Sequence, residues 1–127
     1  MQDSPDPIEI LEAVARTIRE TVMPEVSGHA AYAARVAANA VDLVSRQIRL
    51  QPDSDKNERE RLVMLLKREG SLSELNAALC DAIEAGTVST VQADLHHHLW
   101  ATTKEKLAVD QPKYAAYRRL LSNESSD

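Results

Sequence analysis

Three consecutive histidines, His96, His97 and His98, are the residues in this sequence whose type most invites chemistry. Imidazole nitrogens hold metal ions, but a helix supplying two ligands places them at i and i+4, so that both nitrogens converge. Three in a row instead fan over about 200° of a helix, at about 100° per residue. The helix-compatible partner of His98 is Asp94, four residues earlier, a pair that more often makes a hydrogen bond than a metal site. His29 could join them only through the tertiary fold. His96, His98 and His29 are therefore weak metal candidates, the spacing favours structural or solvent-facing histidines, and neither metal nor cofactor is expected.

Arg35 and Asn39 form a second constellation. Asn39 falls within an apolar stripe with Tyr32, Val36 and Leu43, where a buried amide needs partners or costs about 1–3 kcal/mol. Arg35 and Asp42 flank it, and Arg46 follows Asp42 by four residues. One reading is a buried polar seam that fixes helix register, as a lone Asn does in coiled coils. The sharper reading is a ligand site built from Arg35, Asn39 and Tyr32 for a carboxylate or phosphate, since a guanidinium offers a bidentate fork. The seam reading weighs more, yet these three residues are the best ligand-binding candidates in the chain. Cys80 has no sequence-neighbouring histidine and no C-x-x-C, which predicts a small buried thiol. The carboxylates sit beside Lys or Arg at surface-patterned positions, so no isolated pair suggests acid–base work. Gly-rich phosphate loops, H-E-x-x-H, G-x-S-x-G and EF-hand patterns are all missing, and no catalytic residue is assigned.

The elements that must position these side chains read as helices throughout. Asp6-Pro7-Ile8-Glu9 combines a cap, a first-turn proline and a capping box. Ile8, Leu11, Ala15, Ile18 and Val22 then stripe a first helix that Pro24 stops. A second, Ala-rich helix is expected from about His29 to Leu50, with Tyr32, Val36, Ala40, Leu43 and Leu50 on its buried face. Pro52 closes it, and the polar run from Pro52 to Glu60 reads as a loop leading to Asp55 as the next cap. Leu62, Val63, Leu65 and Leu66 mark a third helix ending at Gly70. Ser71 and Glu74 box the start of a fourth, which ends at Gly86. A fifth helix begins near Ser89 or Thr90, runs to about Val109, and carries Val91, Leu95, Leu99 and Thr102 on one face. A short sixth is expected over residues 113–121.

These expectations amount to an all-α single-domain bundle of five or six helices, with helices one and two an antiparallel core pair because their join is short. The domain spans residues 5–121, with flexible tails at 1–4 and 122–127. A chain of 127 residues can bury a core, but with 43% hydrophobic residues, 18 of them Ala and none Phe, that core must be aliphatic and closely spaced. Three glycines are too few for a hairpin-rich β fold. Four aromatics and a net charge of −5 argue against nucleic acid as a partner. A single cysteine suits a reducing cytoplasm, and no apolar run approaches the roughly 20 residues that span a bilayer.

The segments Asp6-Pro7-Ile8-Glu9-Ile10-Leu11-Glu12-Ala13-Val14, Arg35-Val36-Ala37-Ala38-Asn39-Ala40 and Lys106-Leu107-Ala108-Val109-Asp110-Gln111-Pro112-Lys113-Tyr114 resemble an uncharacterised family of small bacterial helical proteins. The resemblance covers roughly residues 5–117. It implies a bacterial cytoplasmic protein encoded beside acyl-CoA dehydrogenases and kinases similar to aminoglycoside phosphotransferases, and it carries over no catalytic residue. The expected function is a non-enzymatic accessory or interaction protein, a candidate homodimer, with such a dehydrogenase or kinase as partner. The alternative is a small-molecule protein or minor enzyme, binding a carboxylate or acyl-CoA-like ligand in an inter-helix pocket near Arg35 and Asn39. Whether the chain is an enzyme stays open, with the balance against it.

Overall fold

A computed structural model describes residues 4–125 and is all-helical among them. The expected tails fall partly outside this range, at residues 1–3 and 126–127. The five α-helices are α1 (Pro7–Thr17), α2 (Gly28–Leu66), α3 (Leu72–Glu84), α4 (Ala93–Asp110) and α5 (Ala115–Glu124). A π turn over Ile18–Val22 and a 3₁₀ turn over Met23–Glu25, holding Pro24, carry the chain from α1 to α2. The chain divides into two compact units, one running up to Leu50 and the other starting at Gln51.

In the first unit, α1 opens as its sequence dictates. The Asp6 carboxylate accepts from the Glu9 amide at 2.9 Å, and Glu9 accepts from the Asp6 amide at 2.8 Å. α1 and the first part of α2 pack antiparallel, clamped by Arg19–Asp42 and Arg49–Glu12 ion pairs, both at 2.6 Å. Their seam is made of small residues: Ala15, Ala38 and Ser45 are buried, and Ala31, Ala34 and Val41 are half-buried. This corrects the expected inner face of the Ala-rich helix. Tyr32 and Val36 are exposed, and Leu43 and Leu50 only half-buried. Small side chains let two helix backbones approach closely, so the Ala/Ser stripe faces α1 and the bulkier stripe is left outside.

The two ion pairs fix one side of this hairpin. At about 100° per residue, Ile10 and Val14 lie on the flank of α1 away from Glu12 and Arg19, and Val41, Val44 and Ile48 lie on the flank of α2 away from Asp42 and Arg46. The two flanks fall on one side, where Ile10, Val14, Val44 and Ile48 are each 41–44% exposed. The other described residues of the two helices on this side are Ala, Thr, Pro and Gln, and none is charged.

The largest correction concerns Pro52. Helix α2 does not stop there but runs through it for 39 residues, so the expected loop and third helix are one continuation of α2. Proline removes the amide that would bond the Ile48 carbonyl, and it crowds the preceding turn. Gln51, Pro52 and Asp53 are exposed, so water can serve that carbonyl. Pro52 then acts as the first-turn residue of the next stretch, followed by Asp53, Ser54 and Asp55, all favourable near a helix start. Asp55 also accepts from the Gln51 side chain at 3.2 Å. The unit boundary at Leu50 and Gln51 falls at this proline.

The second unit has a conventional aliphatic core. Leu62, Leu75, Leu79, Val88 and Leu95 are buried together, with Val63, Leu65, Leu66, Leu72, Ala82 and Ile83 packed against them. Lys67, at φ 52°, rather than Gly70, takes the left-handed position that ends α2. The Ser71–Glu74 capping box starts α3. Gly86, at φ 74°, ends it: the Gly86 amide bonds the Ile83 carbonyl and the Thr87 amide bonds that of Ala82, the paired pattern of a Schellman cap. Helix α4 begins at Ala93, three or four residues later than its sequence suggests, because Ser89 to Gln92 forms a turn instead. Helix α5 extends to Glu124, which pairs with Lys104 at 2.8 Å.

Candidate functional site

The polar centre of the second unit lies between α2 and α4. The spacing of Leu95, His98, Thr102 and Glu105 alternates three and four residues, which sets all four on one stripe of α4. Leu95 and His98 are buried, only 2% and 3% exposed. The stripe expected to be buried contained Leu99 instead, but Leu99 is exposed and so is Val91. Apolar content pointed to Leu99; the inward face of α4 is decided by Arg61 on α2, which only polar side chains can meet. Its guanidinium lies parallel to the Glu105 carboxylate, Nη1 to Oε1 at 3.0 Å and Nη2 to Oε2 at 2.6 Å, and Nη2 also donates to Thr102 Oγ1 at 3.2 Å. The pair is 14% and 22% exposed, so this fork is strong and largely dehydrated.

Beside the fork is a cleft of about 240 Å³, lined by Arg61, Met64, Leu65, Asp94, His97 and His98. Two buried side-chain atoms of this lining have no hydrogen-bond partner, Nε of Arg61 and Nδ1 of His98. Burial drives the His98 imidazole below its ordinary pKa, the Arg61 charge adds to this, and Glu58 and Glu105 only partly oppose it. His98 is therefore neutral at pH 7. The cleft is thus lined by a cation already neutralised by Glu105, a neutral imidazole, one further carboxylate at Asp94, and apolar walls from Met64 and Leu65, while the two unpartnered nitrogens are buried out of its reach.

The three histidines diverge. The His96 Nε2 sits 2.6 Å from the Thr90 carbonyl, His97 is exposed, and only His98 is buried. His29 belongs to the first unit and is exposed. No cluster of three metal-ligating side chains exists among the described residues. Tyr32, Arg35 and Asn39 all lie exposed on the first part of α2. Asn39 is not in a buried seam: its Oδ1 accepts from Arg19 Nη2 at 3.1 Å, and the same nitrogen bonds Asp42, which holds the Arg19 guanidinium more firmly protonated. Cys80, expected to be buried, is exposed on α3, whose inward stripe is Leu72, Leu75 and Leu79. Sequence reasoning passed over Arg61 and Glu105, because a pair 44 residues apart leaves no local spacing signal.

A family model described as a domain of unknown function, DUF6285, matches residues 24–114, most of the chain. The protein belongs to this family. The DUF6285 region contains Arg61, Asp94, His98 and Glu105, so the whole cleft lies within it, whereas α1 precedes it. No curated protein and no solved structure matches this DUF6285 chain. No helix among the described residues is long and apolar enough to cross a membrane.

Proposed function

We propose that this DUF6285 protein is a non-catalytic helical interaction protein, and that its α1–α2 hairpin pairs with a second copy of itself. The observation that carries this reading is the uncharged side of the hairpin, where Ile10, Val14, Val44 and Ile48 remain more than 40% exposed. The opposite side carries the Arg19–Asp42 and Arg49–Glu12 ion pairs. The seam between the helices buries little beyond Ala15, Ala38 and Ser45, too small a core for a two-helix unit. A second hairpin on the uncharged side makes a four-helix arrangement that covers those aliphatic side chains, and a twofold pairing asks for no charge complement. The stripe of exposed Tyr32 and Val36 with half-buried Leu43 suits this less well, because Asn39 and Arg46 interrupt it.

Sedimentation equilibrium tests the reading. The expected result is a concentration-dependent dimer that Val44→Glu converts to monomer without loss of helical circular dichroism. A wild-type monomer at high micromolar concentration, or a Val44→Glu dimer as tight as wild type, overturns it. Mixing with an acyl-CoA dehydrogenase, or with a kinase similar to aminoglycoside phosphotransferases, tests the same side for the partners that the family resemblance implies.

A further inference from the structure

We propose that the charged side of the α1–α2 hairpin docks an acidic peptide segment of a partner protein on a row of arginines. The partner class so named rests on the interaction reading, for the side of the hairpin that self-pairing leaves open. Every Lys or Arg position among residues 1–50 is an arginine: Arg16, Arg19, Arg35, Arg46 and Arg49. At about 100° per residue, Arg16 lies within about 40° of Glu12 around α1, and Arg35, Arg46 and Arg49 lie within about 40° of Asp42 around α2. Arg19 bonds Asp42 and Arg49 bonds Glu12 across the seam, so all five guanidiniums gather on one side. From Arg35 to Arg49 the row covers about 21 Å of α2.

The carboxylates here do not balance the row. Glu12 and Asp42 are each taken by one arginine, and Glu9, at the outer rim, bonds the Asp6 amide in the capping box. Arg16 and Arg35 are exposed and have no ion pair with a described residue. Asn39 and Tyr32, the latter 62% exposed, lie within about a turn of Arg35. Arg and Tyr are enriched at protein interfaces and their hot spots, where Lys is depleted. A face that needs only solvation draws on lysine as freely, as residues beyond 50 do with Lys56, Lys67, Lys104, Lys106 and Lys113.

Charge decides the occupant. A twofold pairing with a second copy would set this row of arginines against itself. A nucleic acid carries dense phosphate charge well past the row, where it meets exposed Glu9 and Glu20 on a chain of net charge −5. A peptide spaces its carboxylates along one narrow track, and a guanidinium fork matches each of them. Exposed pairs are individually weak, so several must act together, and salt must weaken them.

Fluorescence anisotropy with labelled octaglutamate, about 26 Å long when extended, tests this against labelled octaglutamine and a short DNA duplex. The measurements are made at about 0.15 M salt, where charges more than roughly 8 Å apart are largely screened. The expected result is saturable binding of octaglutamate, at least tenfold tighter than octaglutamine or the duplex, and weaker as salt rises. Arg16→Glu combined with Arg35→Glu should weaken it at least tenfold. Arg119→Glu, a charge reversal on exposed α5, should leave it unchanged, and all three positions are exposed, so helical circular dichroism should persist. Val44→Glu, on the uncharged side, should bind octaglutamate like wild type even where it abolishes the dimer, so the two readings fail separately. No saturable binding of octaglutamate, equal binding of octaglutamine, tighter binding of the duplex, or an equal loss with Arg119→Glu overturns the proposal.

Discussion

His98 shows how one buried residue ties stability to pH. Burial and the positive charge of Arg61 lower its folded pKa below 6.5, the value of the free side chain. The unfolded chain therefore takes up the proton first as pH falls, and in that window stability rises with pH. The stabilising contribution is complete above about pH 6.5 and is lost as pH drops through the lower folded value. The groups that face His98 are Glu58 and Arg61 from α2, with Asp94, His97 and Glu105 from its own helix. A thermal midpoint that falls between pH 7 and pH 5, with a slope reduced in His98→Met, is the expected outcome. An unchanged slope in that variant would place the titration elsewhere. Arg61 makes a second prediction at this scale. Glu105→Gln should cost about 2–3 kcal/mol in urea unfolding, below the roughly 3–5 of a fully buried pair because both partners keep some contact with water. The histidine run named His98 only as a weak metal candidate, beside His96, and did not tell which of the three is buried. Ring identity is local information, whereas burial of His98 depends on Arg61, 37 positions earlier in the sequence.

At the scale of elements, the capped starts of α1 and α3 were legible, whereas the expected cap at Asp55, the end at Gly70 and the start of α4 at Ser89 or Thr90 were not. Asp6–Glu9 and Ser71–Glu74 form the boxes their spacing predicts, since three residues suffice to satisfy freed amides at a helix start. Serine's amide and hydroxyl hold the Glu74 carboxyl below the usual carboxylate range as part of the same local unit. Gly86 likewise ends α3 where a left-handed residue is needed. Pro52 was misleading because its cost, about 3 kcal/mol within a helix, is a local quantity set against packing on both sides of it. Ahead of it the Ala seam fastens α2 to α1, and beyond it Leu62, Leu65 and Leu66 fasten α2 to the second core. Either half is long enough to remain helical, so the two merge. Lys67 offers a clean check of the true end of α2. It holds φ 52°, a region that costs an L-residue about 1–2 kcal/mol. Lys67→Gly should therefore raise stability by about 1 kcal/mol in a urea melt, and a loss would show that the lysine side chain matters more than its backbone strain.

At the scale of the whole molecule, the expected function rests on what covers the uncharged side of the hairpin. Self-pairing makes apparent stability depend on concentration, because folded protomers are drawn into the dimer by mass action. The thermal midpoint of the wild type should therefore climb with protein concentration, while that of Val44→Glu stays flat; a flat wild-type trace would argue for a monomer. The sequence by itself determined the helical class, the pairing of the first two helices, the capped starts of α1 and α3, and the absence of a familiar catalytic motif. Those properties arise from contacts within a few residues, or from composition, both of which are written in the linear order of side chains. Only the tertiary structure decided that α2 continues through Pro52, that Ala and Ser rather than Tyr32 and Val36 face α1, and that His98 turns inward to a cleft with Arg61 and Glu105. Each of these is a choice between helix faces or between a local cost and a distant gain. Such choices are made by the partner helix, whose position no local pattern encodes.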